Sequence, residues 1–202
     1  MSSSGTVHIV DDDEAVRDSL QALLEAKKYA ARTYPNAEAF LAAHSAAPAG
    51  CAIVDVRMPG MDGITLLNRL RERGTALPVI VVTGHGDIPL AVQAMKAGAS
   101  DFVEKPYSNE TIIDAVQRAL AAAPAEAAGD SPAEIAARIA ALTPRERDVM
   151  DQLVIGNPNK IIAFELKISP RTVEIHRANL MKKMQADSLS HLVRMVLAVK
   201  AR

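Results

Sequence analysis

Four short strand-like runs in this chain end in residues that could do chemistry. Val7-His8-Ile9-Val10 leads into Asp11-Asp12-Asp13, Cys51-Ala52-Ile53-Val54 into Asp55, Val79-Ile80-Val81-Val82 into Thr83, and Phe102-Val103-Glu104 into Lys105 and Pro106. Two or three carboxylates held close together repel unless a cation joins them. Hard oxygen ligands in a partly wet pocket favour Mg²⁺, which keeps several waters and takes only one or two carboxylates. In such a pocket Asp55 can accept a phosphoryl group. Its carboxylate is ionised at neutral pH and needs no general base, so positioning and charge neutralisation carry the reaction. Mg²⁺ and Lys105 would stabilise the equatorial oxygens, the Thr83 hydroxyl would bind one of them after transfer, and the product is an acyl phosphate on Asp55.

The elements that must gather these residues follow from the apolar pattern. The runs at 51–54 and 79–82 are apolar at every position, as in strands of a parallel sheet buried on both faces. Helical periodicity occupies 14–26, 37–43 and 109–122, with Val16, Leu20, Leu23 and Leu24 on one face of the first. Ala30 to Tyr34 reads as a further short strand. Five strands alternating with five helices predict a doubly wound, flavodoxin-like α/β domain over 1–122, and ligands in such open sheets bind at the carboxyl ends of the strands.

The constellation resembles the receiver domain of bacterial two-component response regulators. The match runs through Ile9-Val10-Asp11-Asp12, Val54 to Gly63 (with Arg57-Met58-Pro59-Gly60-Met61-Asp62), Val82-Thr83-Gly84 and Phe102 to Pro106, and it spans residues 6–121. The resemblance implies that Asp55 is the phosphoacceptor. It further implies that Asp12 and Asp55 are Mg²⁺ ligands with the Arg57 carbonyl, and that Asp11 supports the metal through water. Thr83 and Phe102 then form the switch, with plain core as the other reading of Phe102. Because position 102 is Phe rather than the frequent Tyr, that switch is expected to be a packing change. His85 reads as either a tuner of hydrolysis or an exposed loop residue, and Asp62 and Gly63 read as a turn and helix start.

Residues 123–141 read as a linker, partly helical. A disordered piece is expected near 124–130, followed by a helix opened by Ser131, Pro132 and Glu134. From Leu142 no strand pattern appears. Thr143-Pro144-Arg145-Glu146 has the form of a capping box, Gly156-Asn157-Pro158-Asn159 is a break, and Ile168-Ser169-Pro170 is a tight connection between two helices. Four short helices over 142–202, with the second and third joined by about three residues, fit a helix-turn-helix.

This second half resembles the LuxR-type DNA-binding domain of the FixJ/NarL response regulators. The residues carrying the match are Leu142 to Arg147, Gly156 to Lys160, Ile162-Ala163, Ile168-Ser169, Thr172-Val173, His176, Asn179 and Lys182 to Met184, and Ser169 to Asn179 suits the FixJ branch. Val173, Leu180 and Met184 lie on one side of the helix that Pro170 opens and face a core. On the other faces, Glu174 could accept from a cytosine amino group and Ile175 could touch a thymine methyl. Lys160, Arg171, Thr172, His176 and Lys182 suit phosphate contacts, and Arg177 is also available to the groove. His176 as a packing histidine stays open.

Charge and composition agree with two functions. The net charge is −1, but 1–122 carries a net of −4 and 142–202 a net of +5, which makes the second half the nucleic-acid candidate. A single cysteine excludes an intramolecular disulfide and a multi-thiolate zinc site. No apolar run approaches the roughly 18 residues of a membrane span. The first residues lack a secretory pattern, so a cytoplasmic location is expected.

The reading is a non-enzymatic response regulator. A sensor histidine kinase, FixL-like on the resemblance, phosphorylates Asp55. The protein then dimerises through its 87–121 face and binds double-stranded promoter DNA. It acts with RNA polymerase, as an activator of nitrogen-fixation or microaerobic genes. Two rivals are a DNA binder whose receiver is only a dimerisation scaffold and an aspartyl-phosphate phosphohydrolase. The second wants an acid/base Asp two residues after Asp55, where this chain has Arg57.

Overall fold

A computed structural model describes residues 5–44, 48–84, 88–121 and 131–200. The sheet holds β1 (Thr6–Val10), β2 (Ala30–Tyr34), β3 (Gly50–Asp55), β4 (Val79–Thr83) and β5 (Asp101–Glu104), all parallel, in the order β2-β1-β3-β4-β5. β3 and β4 are the strands whose uninterrupted apolar runs predicted burial on both faces, and every position of β4 is buried. The helices are α1 (Glu14–Ala26), α2 (Ala37–Ala43), α3 (Gly63–Glu72), α4 (Ile88–Lys96) and α5 (Asn109–Ala121). The chain runs from β1 out to β2 and returns to β3 on the other side of β1. The β1/β3 boundary is therefore the point where strand order reverses, the usual ligand position in such sheets.

One face of the sheet builds a continuous core with α1 and α5, from Val7, Ile9, Ile53, Ile80 and Val103 with Leu24 and Ile112. Phe102 is half-buried and lies outside that core, whose β5 member is Val103. In a strand alternate side chains face opposite ways, so Phe102 lies on the face of the sheet opposite to that of buried Asp101 and Val103.

Five further helices follow: α6 (Pro132–Ala140), α7 (Pro144–Ile155), α8 (Asn159–Leu166), α9 (Pro170–Met184) and α10 (Leu189–Lys200). The predicted capping box forms at Thr143/Glu146, and the helix start expected at Ser131 is a second one with Glu134, each with Pro in the first turn. Gly156, at φ 97°, ends α7 in the left-handed conformation that glycine adopts at least cost. Lys167–Ser169 join α8 to α9 as the expected three-residue turn. The chain divides into two compact units, Met1–His85 with Ala97–Ala125, and Gly86–Lys96 with Glu126–Arg202. α6 is the helix expected in the connecting segment, and it packs on α9 and α10 with Ile135 buried. The segment 124–130 and His85 lie outside the described residues.

Candidate phosphoacceptor pocket and nucleic-acid interface

Asp11 follows β1, Asp55 ends β3, Thr83 ends β4 and Lys105 follows β5, so the topology alone brings four predicted residues to one edge of the sheet. Asp11 and Asp55 are buried, at 4% and 7% exposure. Lys105 Nζ joins them, 2.7 Å from Asp55 Oδ1 and 3.3 Å from Asp11 Oδ2. Asp55 Oδ2 also accepts from the Arg57 backbone N–H at 2.6 Å, and Asp11 Oδ1 from the Asp13 N–H at 2.9 Å. The Lys105 N–H donates to the Thr83 carbonyl at 2.8 Å, extending the β4–β5 ladder one residue past the strand. Thr83 is buried at that edge.

The charges shift one another in a legible way. Burial pushes the Asp11 carboxyl up, and the Asp55 charge adds to this, while the Asp13 N–H and Lys105 pull it back. Burial alone would lower the Lys105 ammonium. Its hydrogen bond to Asp55 and the charges of Asp55 and Asp11 outweigh that and hold it above the ordinary lysine value. Lys105 is thus fixed in its charged form between two carboxylates.

Neighbouring residues position this pocket, and of these Arg17 was not singled out from the sequence. Arg17 Nη1 donates to the Asp11 carbonyl at 2.8 Å. Its signal in the sequence was a cation in the first turns of α1, where acids are favoured. Asp13 caps α1 by accepting from Ala15 and Val16. Asp62 caps α3, as the turn reading expected. Gly63 does more than start that helix: its N–H reaches the Val56 carbonyl at 3.0 Å, and a Cβ there would collide with the Asp55 carbonyl.

Asp12, by contrast, is exposed. Among the described residues no three His, Cys, Asp or Glu side chains stand close enough together to hold a metal. The carboxylate set brought together is therefore Asp11 and Asp55, and the ammonium of Lys105 does part of the neutralising that was expected of the cation. Two buried hard-oxygen donors with a net negative charge still suit Mg²⁺, which takes one or two carboxylates and completes its shell with carbonyl and water.

The second candidate surface is α9. Ser169 caps it by accepting from the Thr172 N–H at 3.0 Å, and the two hydroxyls lie 2.8 Å apart. Val173, Leu180 and Met184 are fully buried, as the periodicity required. Arg171, Glu174, Ile175 and Lys182 are exposed, as is Lys160 on α8. Arg171 lies 3.3 Å from Glu174 in a one-turn ion pair. Thr172, His176 and Arg177 are half-buried, and Arg177 Nη1 meets Asn159 Oδ1 at 3.4 Å, bridging α8 and α9.

Residues 7–117 match the response regulator receiver domain, and residues 140–196 match the bacterial regulatory proteins of the luxR family. The chain belongs to the two-component response regulators with a LuxR-type DNA-binding domain. It is 48% identical to the transcriptional regulatory protein FixJ of Bradyrhizobium diazoefficiens over 98% of this chain and 97% of that protein. It is 47% identical to the C4-dicarboxylate transport transcriptional regulatory protein DctR of Rhodobacter capsulatus over 95% and 99%. Among solved structures, full-length FixJ from B. japonicum is 47% identical, covers 98% of both chains and superposes with a TM-score of 0.57. The chain is thus a FixJ-like response regulator of transcription, as its motifs implied. Receiver domains typically bind Mg²⁺ at this acidic pocket. Among the described residues no helix is long and apolar enough to cross a membrane.

Proposed function

We propose that the receiver spans 1–122, a partly helical connection 123–141 and the DNA-binding domain 142–202, and that a sensor histidine kinase phosphorylates Asp55. One Asp55 oxygen attacks the phosphorus of the kinase phosphohistidine, the phosphorus–nitrogen bond breaks, and the imidazole leaves with its electron pair. Lys105, already bonded to Asp55, neutralises charge on the transferred group. The Arg57 N–H holds the second Asp55 oxygen, which fixes the carboxylate in place. Mg²⁺, when bound, would be held by Asp12, Asp55 and the Arg57 carbonyl, with Asp11 acting through water, and would supply further charge neutralisation. The phosphoryl group draws in the Thr83 hydroxyl, and half-buried Phe102 on the neighbouring strand repacks behind it. The chemistry regulates and turns over no metabolite.

The observation that carries this reading is the Lys105 ammonium shared by Asp11 and Asp55 at the strand-order reversal. Phosphorylated protein dimerises through the 87–121 face and engages paired half-sites, since linking two weak contacts multiplies affinity. On the DNA, Glu174 and Ile175 read bases. Lys160, Arg171, Thr172, His176 and Lys182 contact phosphates, and Arg177 stands at the groove. Contact with RNA polymerase makes the protein an activator, and its location is the cytoplasm. The likeness to FixJ assigns it a FixL-like kinase and nitrogen-fixation or microaerobic genes. Phosphotransfer from acetyl phosphate with Mg²⁺, followed by intact-protein mass, tests the chemistry: Asp55→Asn must abolish the adduct, and an adduct that persists refutes the assignment. Phosphotransfer from a purified FixL-like kinase tests the regulon. A kinase that recognises C4-dicarboxylates and phosphorylates this protein faster would place it with DctR.

A further inference from the structure

The C-terminal end of α9 is held from two sides. Arg138 of α6 sends Nη1 to the Met184 carbonyl at 3.1 Å. Met184 is the last residue of α9, and its carbonyl is one of the four that a helix cannot satisfy by itself. A guanidinium there also faces the negative end of the helix dipole. From α7, Glu146 accepts from Lys183 Nζ at 2.7 Å while holding the Thr143 N–H at 2.8 Å. Arg147 Nη2 then reaches the Ile139 carbonyl at 3.0 Å, which ties the end of α6 to α7. α6 is itself a defined element, closed at its start by the Ser131/Glu134 cap and anchored by buried Ile135.

We propose that α6 is a positioning element for DNA reading, with Arg138 as the positioning residue that fixes the tilt of α9. The proposal rests on α9 being the recognition helix. Its fifteen residues rise about 1.5 Å each, so a tilt of about 5° at Met184 displaces Glu174, about 15 Å along the helix, by about 1.3 Å. Base contacts tolerate much less than that. Long cationic side chains on phosphates can follow such a shift, so specific binding should suffer while non-specific binding persists.

Full-length wild type, Arg138→Ala and Arg138→Lys are compared on two DNAs across about 50–200 mM salt. One is a duplex that the wild type selects from a random pool, and the other is an alternating non-specific polymer. Arg138→Ala should bind the selected duplex about ten-fold more weakly, with unchanged affinity for the polymer and an unchanged salt slope. Arg138→Lys, which keeps a cationic donor, should recover most of the loss. Unchanged binding by Arg138→Ala overturns the proposal. So does a salt slope smaller by about one, which would make Arg138 a phosphate contact. An equal loss on both DNAs matched by a lower thermal midpoint would also overturn it. If Arg171→Ala and Glu174→Ala leave both affinities at wild-type values, the recognition-helix reading falls and takes this inference with it.

Discussion

Replacing Lys105 by Met removes the ammonium that both Asp11 and Asp55 are bonded to, while keeping a chain of similar length. Breaking a fully buried ion pair costs about 3–5 kcal/mol, because the surviving charges are left uncompensated. The Lys105 side chain retains 32% exposure while its partners keep 5% and 9%, so water screens part of the loss and about 1–2 kcal/mol is expected. A bound cation should then matter more than before. At ten times its dissociation constant, Mg²⁺ stabilises the fold by about 1.4 kcal/mol, and Lys105→Met should bind it more tightly than wild type does. The assay is urea unfolding followed by tyrosine emission. The chain has no Trp and its three Tyr are 29, 34 and 107, so the signal reports the receiver unit alone. Equal stability of variant and wild type without Mg²⁺ would refute the electrostatic reasoning. A smaller Mg²⁺ effect in the variant would refute it equally.

Asp11 carries the opposite sign. Burial raises its pKa above the ordinary aspartate value, so its favourable contribution exists only at acid pH and is lost as pH rises through the folded pKa. Asp11→Asn should therefore be more stable than wild type at pH 7, with the gain vanishing toward pH 4, as urea midpoints across pH would record. His8 and His44 are held below the ordinary histidine value, by burial first. Their contribution is intact above about pH 6.5 and lost as pH falls from there toward their folded values, and His8→Asn should flatten that acid limb. On the DNA side, Glu174→Ala should relax preference at one base position by about 1–3 kcal/mol in a selection experiment. Arg171→Ala should weaken all sequences alike and reduce the salt slope by about one.

The receiver was legible because its signals are local and redundant. The apolar runs at 51–54 and 79–82 state burial directly, and each catalytic candidate stands at the end of such a run, so naming the strands also located Asp55, Thr83 and Lys105. Caps were equally readable, since Ser131/Glu134 and Thr143/Glu146 are four-residue patterns. The relations that escaped are those between distant residues. Nothing in a polar-looking position such as His8 says that its Nδ1 lies 3.2 Å from the Tyr34 hydroxyl, or that Tyr34 meets His44 Nε2 at 2.9 Å. The hint was a lone histidine within an otherwise apolar strand. Arg138 was not singled out and Arg177 was read as available to the groove, yet both bridge helices, because long side chains find partners that spacing does not disclose. Asp12, named from the same acidic run as Asp11, is exposed where Asp11 is buried, a difference that the run of three aspartates does not disclose.

Control of DNA affinity by the state of Asp55 is tested most directly on one selected duplex at fixed salt. The protein is titrated unmodified, after acetyl phosphate and Mg²⁺, and as Asp55→Asn given the same treatment. Coupling between two sites is typically 5–150-fold, so phosphorylated wild type should bind at least about five-fold more tightly than unmodified protein, and Asp55→Asn should stay at the unmodified level. Equal affinity before and after phosphorylation, or Asp55→Asn binding as tightly as the phosphorylated protein, would contradict a phosphorylation-controlled regulator.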